Sequence, residues 1–144
     1  MCGQDRKVLD DDHFLFWDNT ASPQRTVFLR SAAADQTDVQ DRAQVLVNLA
    51  ELPENVDRIV VVLSTVVEQG RFNVLETMRL RVLDLGSGRE LATFSTGADF
   101  TMETCVIVAE IYRNKEDRKL RAVGQGYQSG LVGLGTDYGV NIAE

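Results

Sequence analysis

Oxygen-bearing side chains gather in three places along this 144-residue chain: Asp10, Asp11 and Asp12; Asp18 and Asn19; and Asp35, Asp38 and Asp41. A hard cation such as Ca²⁺ takes about six to eight oxygen ligands at once, often from irregular loops, so acidic loops are where metal chemistry would sit. None of the three follows EF-hand spacing, and a solvated acidic loop is the plainer explanation of each. His13 is the only histidine, so any Ser-His-Asp, Cys-His or His-metal arrangement has to use it. Placed after three aspartates at the start of an aromatic run, it reads as an ordinary strand-edge residue. Ser129 has Tyr127, not Gly, two positions before it, which excludes a G-x-S-x-G elbow. With no Walker loop, H-E-x-x-H or C-x-x-C, the residues predict no enzyme.

The second candidate is the stretch 120–140, LRAVGQGYQSGLVGLGTDYGV, which holds six of the chain's 11 glycines, at 124, 126, 130, 133, 135 and 139. It opens as a strand over 120–123. The glycines then predict positive φ angles or close backbone approach, and not a periodic helix. A dinucleotide fingerprint fails here: after Gly124 and Gly126 the third glycine falls at 130, one residue late, and no acid follows about 20 residues on. Absent side chains would still let a small ligand approach the backbone around Gly124, Gln125, Gly126 and Tyr127. The structural alternative has Gln125 bonding loop backbone and Tyr127 packing its ring under the glycines.

Composition sets the frame for both. The chain is one domain, 1–144, 44% apolar and 26% charged, long enough to bury a core. Lys and Arg total 15 against 22 Asp and Glu, a net charge of −7 with a pI near 4.7. Such a surface repels phosphate backbones, which disfavours nucleic acid as a partner. Cys2 and Cys105 form no disulfide framework, and Cys105, in an apolar run, reads as a small buried hydrophobe. Asp5 and Asp10–Asp12 stand where a secretory signal would be apolar, and the longest apolar run, 59–67, is too short to span a bilayer. The expected location is cytoplasmic.

The elements that must position these residues read as strands throughout. Candidates are 13–17, 26–30, 44–49, 58–67, 72–83, 90–95, 102–112 and 119–123. Loops with strong turn chemistry lie between them, notably 18–23, 31–42 and the hairpin turn 85–88. The unbroken β-branched run 58–67 predicts burial on both faces. Strand 102–112 should set Cys105, Ile107, Ala109 and Ile111 on one face and pair with 119–123. Short turns and no long amphipathic helix predict an all-β, two-sheet sandwich with little helix.

The segment Ala109-Glu110-Ile111-Tyr112-Arg113 followed by 120–140 closely resembles the C-terminal signature of the tellurium-resistance TerD family. That pattern runs GELYR, a turn, then FRAVGQGYxxGLxGLxxDFGV. HFLFWDNTASP similarly resembles the family's HFVFFNNxxSP. The resemblance implies a β-sandwich, a non-enzymatic part in stress response and tellurite resistance, and Ca²⁺ held by acidic loops. It places Asp18 and Asn19 on the family's Asn-Asn positions and Asp41 in what remains of its GDDE run, where Arg42 replaces the second acid. The family's D-x-D-x-S segment has no counterpart, and Val67, with Glu68 next, replaces a strand acid. Ca²⁺ binding is therefore expected to be weakened or lost, and the domain reads as shortened at its N-terminal strands. Exposed sheet edges would then favour self-association or pairing within an assembly of related stress proteins. Glu103, Thr104, Gln125 and Tyr127 are kept. The alternative implied is small-ligand or cyclic-nucleotide binding at Gly124, Gln125, Gly126 and Tyr127.

Overall fold

A β-branched apolar run forms the middle of the largest sheet. In a computed structural model of the chain, which describes residues 1–16, 18–31, 43–64, 78–96, 105–127 and 129–141, the described strands number seven and make three antiparallel sheets. We label them β1 (Val27–Ser31), β2 (Ala43–Val47), β3 (Arg58–Ser64), β4 (Met78–Asp84), β5 (Arg89–Thr96), β6 (Cys105–Asn114) and β7 (Asp117–Tyr127). One helix, α1 (Gly130–Asp137), follows β7. The fold is all-β with little helix. β6 lies between β3 and β7, while β1 pairs with β2 and β4 with β5.

The two faces of the β3–β6–β7 sheet carry separate cores. Ile59 and its cross-strand partner Ile111 pack with Met1, Val27 and Val56, and with Leu9, Leu15, Val47 and Leu52 around them. Val27 and Val47 face each other in the β1–β2 pair, so that pair forms the second layer of the sandwich on this face. On the opposite face Cys105 and Ile107 pack with Leu134, joined by Val60, Val62, Val123, Tyr127, Leu131 and Tyr138. β3 therefore supplies a core on each face, Ile59 on one and Val60 and Val62 on the other, but the expected burial holds only in part, since Leu63 and Ser64 at its end are exposed.

The expected single face for Cys105, Ile107, Ala109 and Ile111 is corrected by a bulge. The register against β3 steps from Val61↔Ala109 directly to Val62↔Ile107, leaving Val108 without an opposite. The extra residue reverses the alternation, so Ile111 enters one core and Ile107 the other. A second register shift falls at the same place against β7, where Ala122 pairs with Ala109 and Gln125 with Ile107. Gly124, with φ +82, sits inside that irregularity.

Two further expectations are corrected. Residues 13–17 read as an aromatic strand, but Asp11–His13 is a 3₁₀ turn, and Phe16 and Asn19 exchange backbone bonds at 3.0 Å to close a tight loop. The glycine-rich stretch reads as non-helical, yet Gly130–Asp137 is an α-helix. Its glycines divide by role: Gly130 and Gly139 take positive φ at its ends (+68 and +76), while Gly133 lies within the helix. A Cβ on Gly133 would stand 1.8 Å from Ser129 Oγ. The hairpin turn at 85–88 forms as expected: the Asp84 carboxylate accepts from Gly86 N at 3.1 Å and Ser87 Oγ at 3.0 Å.

Candidate functional site

The acidic loop comes first in the chain. Asp18 is exposed and Asn19 half-buried. Asn19 Nδ2 donates to the carbonyls of Asp12 (3.1 Å) and Phe14 (2.9 Å), so the amide pins this loop to its own backbone. His13, read from the sequence as a strand-edge residue, is 6% exposed, because Asp10 Oδ1 holds its Nδ1 at 2.6 Å and caps its backbone N–H. That imidazole bond, the largest influence, holds the Asp10 carboxyl below its ordinary range. Asp41, with Asp35 and Asp38, lies outside the described residues, as do Val67, Glu68, Glu103 and Thr104. Among the described residues no three His, Cys, Asp or Glu side chains gather closely enough to share a metal ion. Asp18 and the remaining oxygen of Asn19 fall well short of the roughly six to eight donors that Ca²⁺ takes.

The glycine-rich end has more structure to offer. Side chains alternate along β7, which sends Val123, Gln125 and Tyr127 to the α1 side of the sheet. There they line a cleft of about 260 Å³ together with Arg6, Ile107, Glu110, Arg121, Asp137 and Tyr138. Gly124 and Gly126 do not line it. A Cβ on Gly124 would meet nothing within 4 Å, and its φ of +82 is one that side-chain-bearing residues rarely adopt.

The cleft's polar groups hold one another. Glu110, 5% exposed, accepts on one oxygen from Arg58 Nη1 at 2.5 Å and Arg121 Nη2 at 3.2 Å. Arg58 also reaches Asp57 at 3.5 Å, and the Arg121 guanidinium lies 5.1 Å from the centre of the Tyr112 ring. Tyr127 donates its hydroxyl to Asp137 Oδ2 at 2.9 Å and receives Gln125 Nε2 at 3.3 Å. Gln125 therefore bonds a side chain and not loop backbone, while the Tyr127 ring does run beneath Gly133, 3.9 Å from where its Cβ would be. Burial first, then the Asp137 bond, pushes the Tyr127 phenol up to about 12. Burial alone pushes the Cys105 thiol up to about 11.

The N-terminal turn closes the cleft from above. Val8 N donates to Tyr138 O at 2.9 Å, and Lys7 Nζ reaches Asp137 O at 2.5 Å, a cation at the negative end of α1. Of the residues singled out from sequence, Gln125 and Tyr127 meet here, while Asp18 and Asn19 belong to a separate loop. Sequence reasoning missed Arg6, Arg58, Glu110, Arg121 and Asp137 as site residues. The available signal was Glu110, an acid inside an otherwise apolar strand.

The TerD domain family model matches residues 1–138. Chemical-damaging agent resistance protein B of Clostridium acetobutylicum is 30% identical over 140 residues, covering 94% of this chain and 99% of that protein. General stress protein 16U of Bacillus subtilis is 33% identical over 105 residues, 71% of this chain and 54% of its own length. Tellurium resistance protein TerD of Serratia marcescens is 29% identical over 138 residues, 94% and 72% of the two chains. A match across almost the whole chain, joined to the β-sandwich built on β6 and β7, settles the family: this chain belongs to the TerD domain family.

Proposed function

We propose that this chain is a non-enzymatic stress-response protein of the tellurite-resistance type that acts as a binding and scaffolding module, within an assembly of related proteins or with copies of itself, in the cytoplasm. The observation that carries the reading is the β4–β5 pair. Among the described residues neither strand pairs with a third, and the pair holds Leu83, Leu85 and Leu91 at 38%, 71% and 60% exposure. Two-stranded hairpins are marginal in water, and we read the three exposed leucines of this hairpin as its docking surface. The cleft supports binding over turnover, since its phenol is held protonated and its carboxylates are engaged. No helix among the described residues is long and apolar enough to cross a membrane, and nucleic acid is disfavoured by the charge of −7.

The test is genetic and physical together. Deleting the gene in its own host should raise sensitivity to tellurite and to chemical damage, and wild-type protein should restore resistance. Leu85→Asp with Leu91→Asp should leave the melting curve intact while abolishing partner recovery and complementation. Unchanged resistance in the deletion strain, or full complementation by the double variant, would sink the reading.

For Ca²⁺ we infer binding that is weakened or lost, because Asp18 and the amide oxygen of Asn19 are the two described side-chain donors on the family's Asn-Asn positions, far short of the roughly six to eight oxygens that Ca²⁺ takes. Titrating chelator-stripped protein with Ca²⁺ should give neither micromolar heat nor a rise in melting temperature; either result would restore a metal role to Asp18, Asn19 and Asp41. A second reading, a small-ligand site with cyclic nucleotides among its candidates, is favoured by one observation: Gln125 and Tyr127 both line the 260 Å³ cleft.

A further inference from the structure

We propose that the cleft between β6, β7 and the C-terminal end of α1 binds a small free oxyanion carrying an O–H of its own, hydrogen phosphate or a hydroxycarboxylate, between the guanidinium groups of Arg6 and Arg121. This rests on the small-ligand reading of the cleft and names its ligand class.

The donor count points to an anion. Arg58 and Arg121 both donate to Glu110 Oε1, so the buried Glu110 carboxylate is already matched by Arg58. Arg121 is half-exposed, at 51%, and gives Glu110 a single bond from Nη2. Its guanidinium lies 5.1 Å from the centre of the Tyr112 ring, and the side chain lines the cleft. A guanidinium has five N–H donors, and a planar edge is suited to two oxygens of one anion.

Arg6 supplies the second cation at a conformational cost. It has φ +65, a left-handed backbone that side-chain-bearing residues adopt rarely and that tends to persist where function uses it. The turn that holds it is closed by Arg6 N to Gly3 O and Gly3 N to Lys7 O, both at 3.0 Å, and is fastened to the helix end through Val8 N and Tyr138 O. Glycine would suit that backbone better, yet the position carries a cation that lines the cleft.

The remaining lining selects among anions. Ile107 and Val123 add apolar surface beside the charged groups. Asp137 faces the same space with one oxygen committed to Tyr127, so a ligand that is anionic at one end must offer a hydrogen-bond donor at the other. Gln125 can accept from or donate to either part. A volume of about 260 Å³ lies below the roughly 300–1,000 Å³ of pockets that take drug-sized ligands, which suits a small ion.

The test uses the full chain, ¹⁵N-labelled, titrated in chloride buffer with inorganic phosphate and separately with glycolate, reading amide shifts. Saturable shifts at Arg6 and at Val123, Gln125 and Tyr127 are expected with at least one of the two, and the arm that saturates separates phosphate from carboxylate. Arg121→Gln and Arg6→Gly should each weaken binding by about tenfold or more, and Arg6→Gly should do so without lowering the melting temperature, since Gly relieves the strain. Linear, non-saturating shifts with both anions, or affinities unchanged in both variants, would overturn the proposal. If a neutral or cationic small molecule then moved the same amides, the oxyanion class alone would be wrong. If no small molecule moved them, the small-ligand reading would fall as well.

Discussion

Replacing Glu110 by Ala removes the group that Arg58 and Arg121 are arranged around. Glu110 is 7% exposed at its side chain and Arg58 16%, and they meet at 2.5 Å; Arg121 joins from β7 at 3.2 Å. In Glu110→Ala, Arg58 is left largely buried with Asp57 at 3.5 Å as its remaining carboxylate, and its Nε already has no partner. Breaking a buried pair by removing one member costs about 3–5 kcal/mol, mostly from the stranded charge. The Asp57 contact and the residual exposure of Arg58 put this case at the low end, about 3 kcal/mol. Urea unfolding followed by linear extrapolation measures it directly, and the melting temperature should fall by roughly 10 °C for a chain of this size. The same reasoning makes a second, sharper claim. Adding Arg58→Met to Glu110→Ala removes the stranded charge, so the double variant should be more stable than Glu110→Ala alone. A single variant within about 1 kcal/mol of wild type, or a double variant less stable than the single, would refute the account of Glu110 as the partner of a buried cation.

Gly133→Ala should destabilise the fold by about 1–3 kcal/mol in thermal or urea melts, the usual range for overpacking. Its Cβ would lie 2.6 Å from Ser129 Cβ, which no rotation of the serine relieves, so Ser129→Gly should recover part of the loss. The depressed carboxyl of Asp10 contributes stability that is present above its unfolded value of 3.8 and is lost as pH falls through the lower folded value; Asp10→Asn should remove that part of the acid limb of a stability–pH curve. Cys105 has the opposite sign. Its thiol is raised from 9.0 to about 11, so its contribution is complete below pH 9 and is lost as pH climbs toward 11. Cys105→Ala should flatten stability in that window, and an unchanged alkaline slope would show that another group controls it.

The strand pattern was legible because burial writes period-two alternation and β-branched runs directly into the sequence. β3 and the β4–β5 turn could be placed from residues alone for that reason. The reversal of faces within β6 could not. Cys105, Ile107, Ala109 and Ile111 alternate without a break, and only the register against β3 shows that Val108 is extra. A bulge is a property of a strand pair, and no single strand's sequence records it. The aromatic run at 13–17 misled in the other direction, since local bonds from Asp10 and Asn19 outweighed its strand propensity.

The glycine-rich stretch shows most clearly what separates a legible fold from a legible site. Its glycine density argued against a helix, and intrinsic propensity supports that argument at about 1 kcal/mol per glycine. The helix forms because Leu131 and Leu134 bury against Cys105 and Ile107, a tertiary gain that outweighs the local cost. Once α1 is in place, its C-terminal end carries Asp137 to Tyr127 and its fastening to Val8 carries Arg6 over β7. The site is thus a consequence of the one element the sequence argued against. Gly124 and Gly126 do not line the cleft, whose charged lining is Arg6, Glu110, Arg121 and Asp137, four side chains spread over more than a hundred positions. Their meeting depends on the bulge that turns Ile107 toward the helix. A variant that deletes Val108 should therefore dismantle cleft and second core together, and retention of either one in its spectrum would show that the two are built independently.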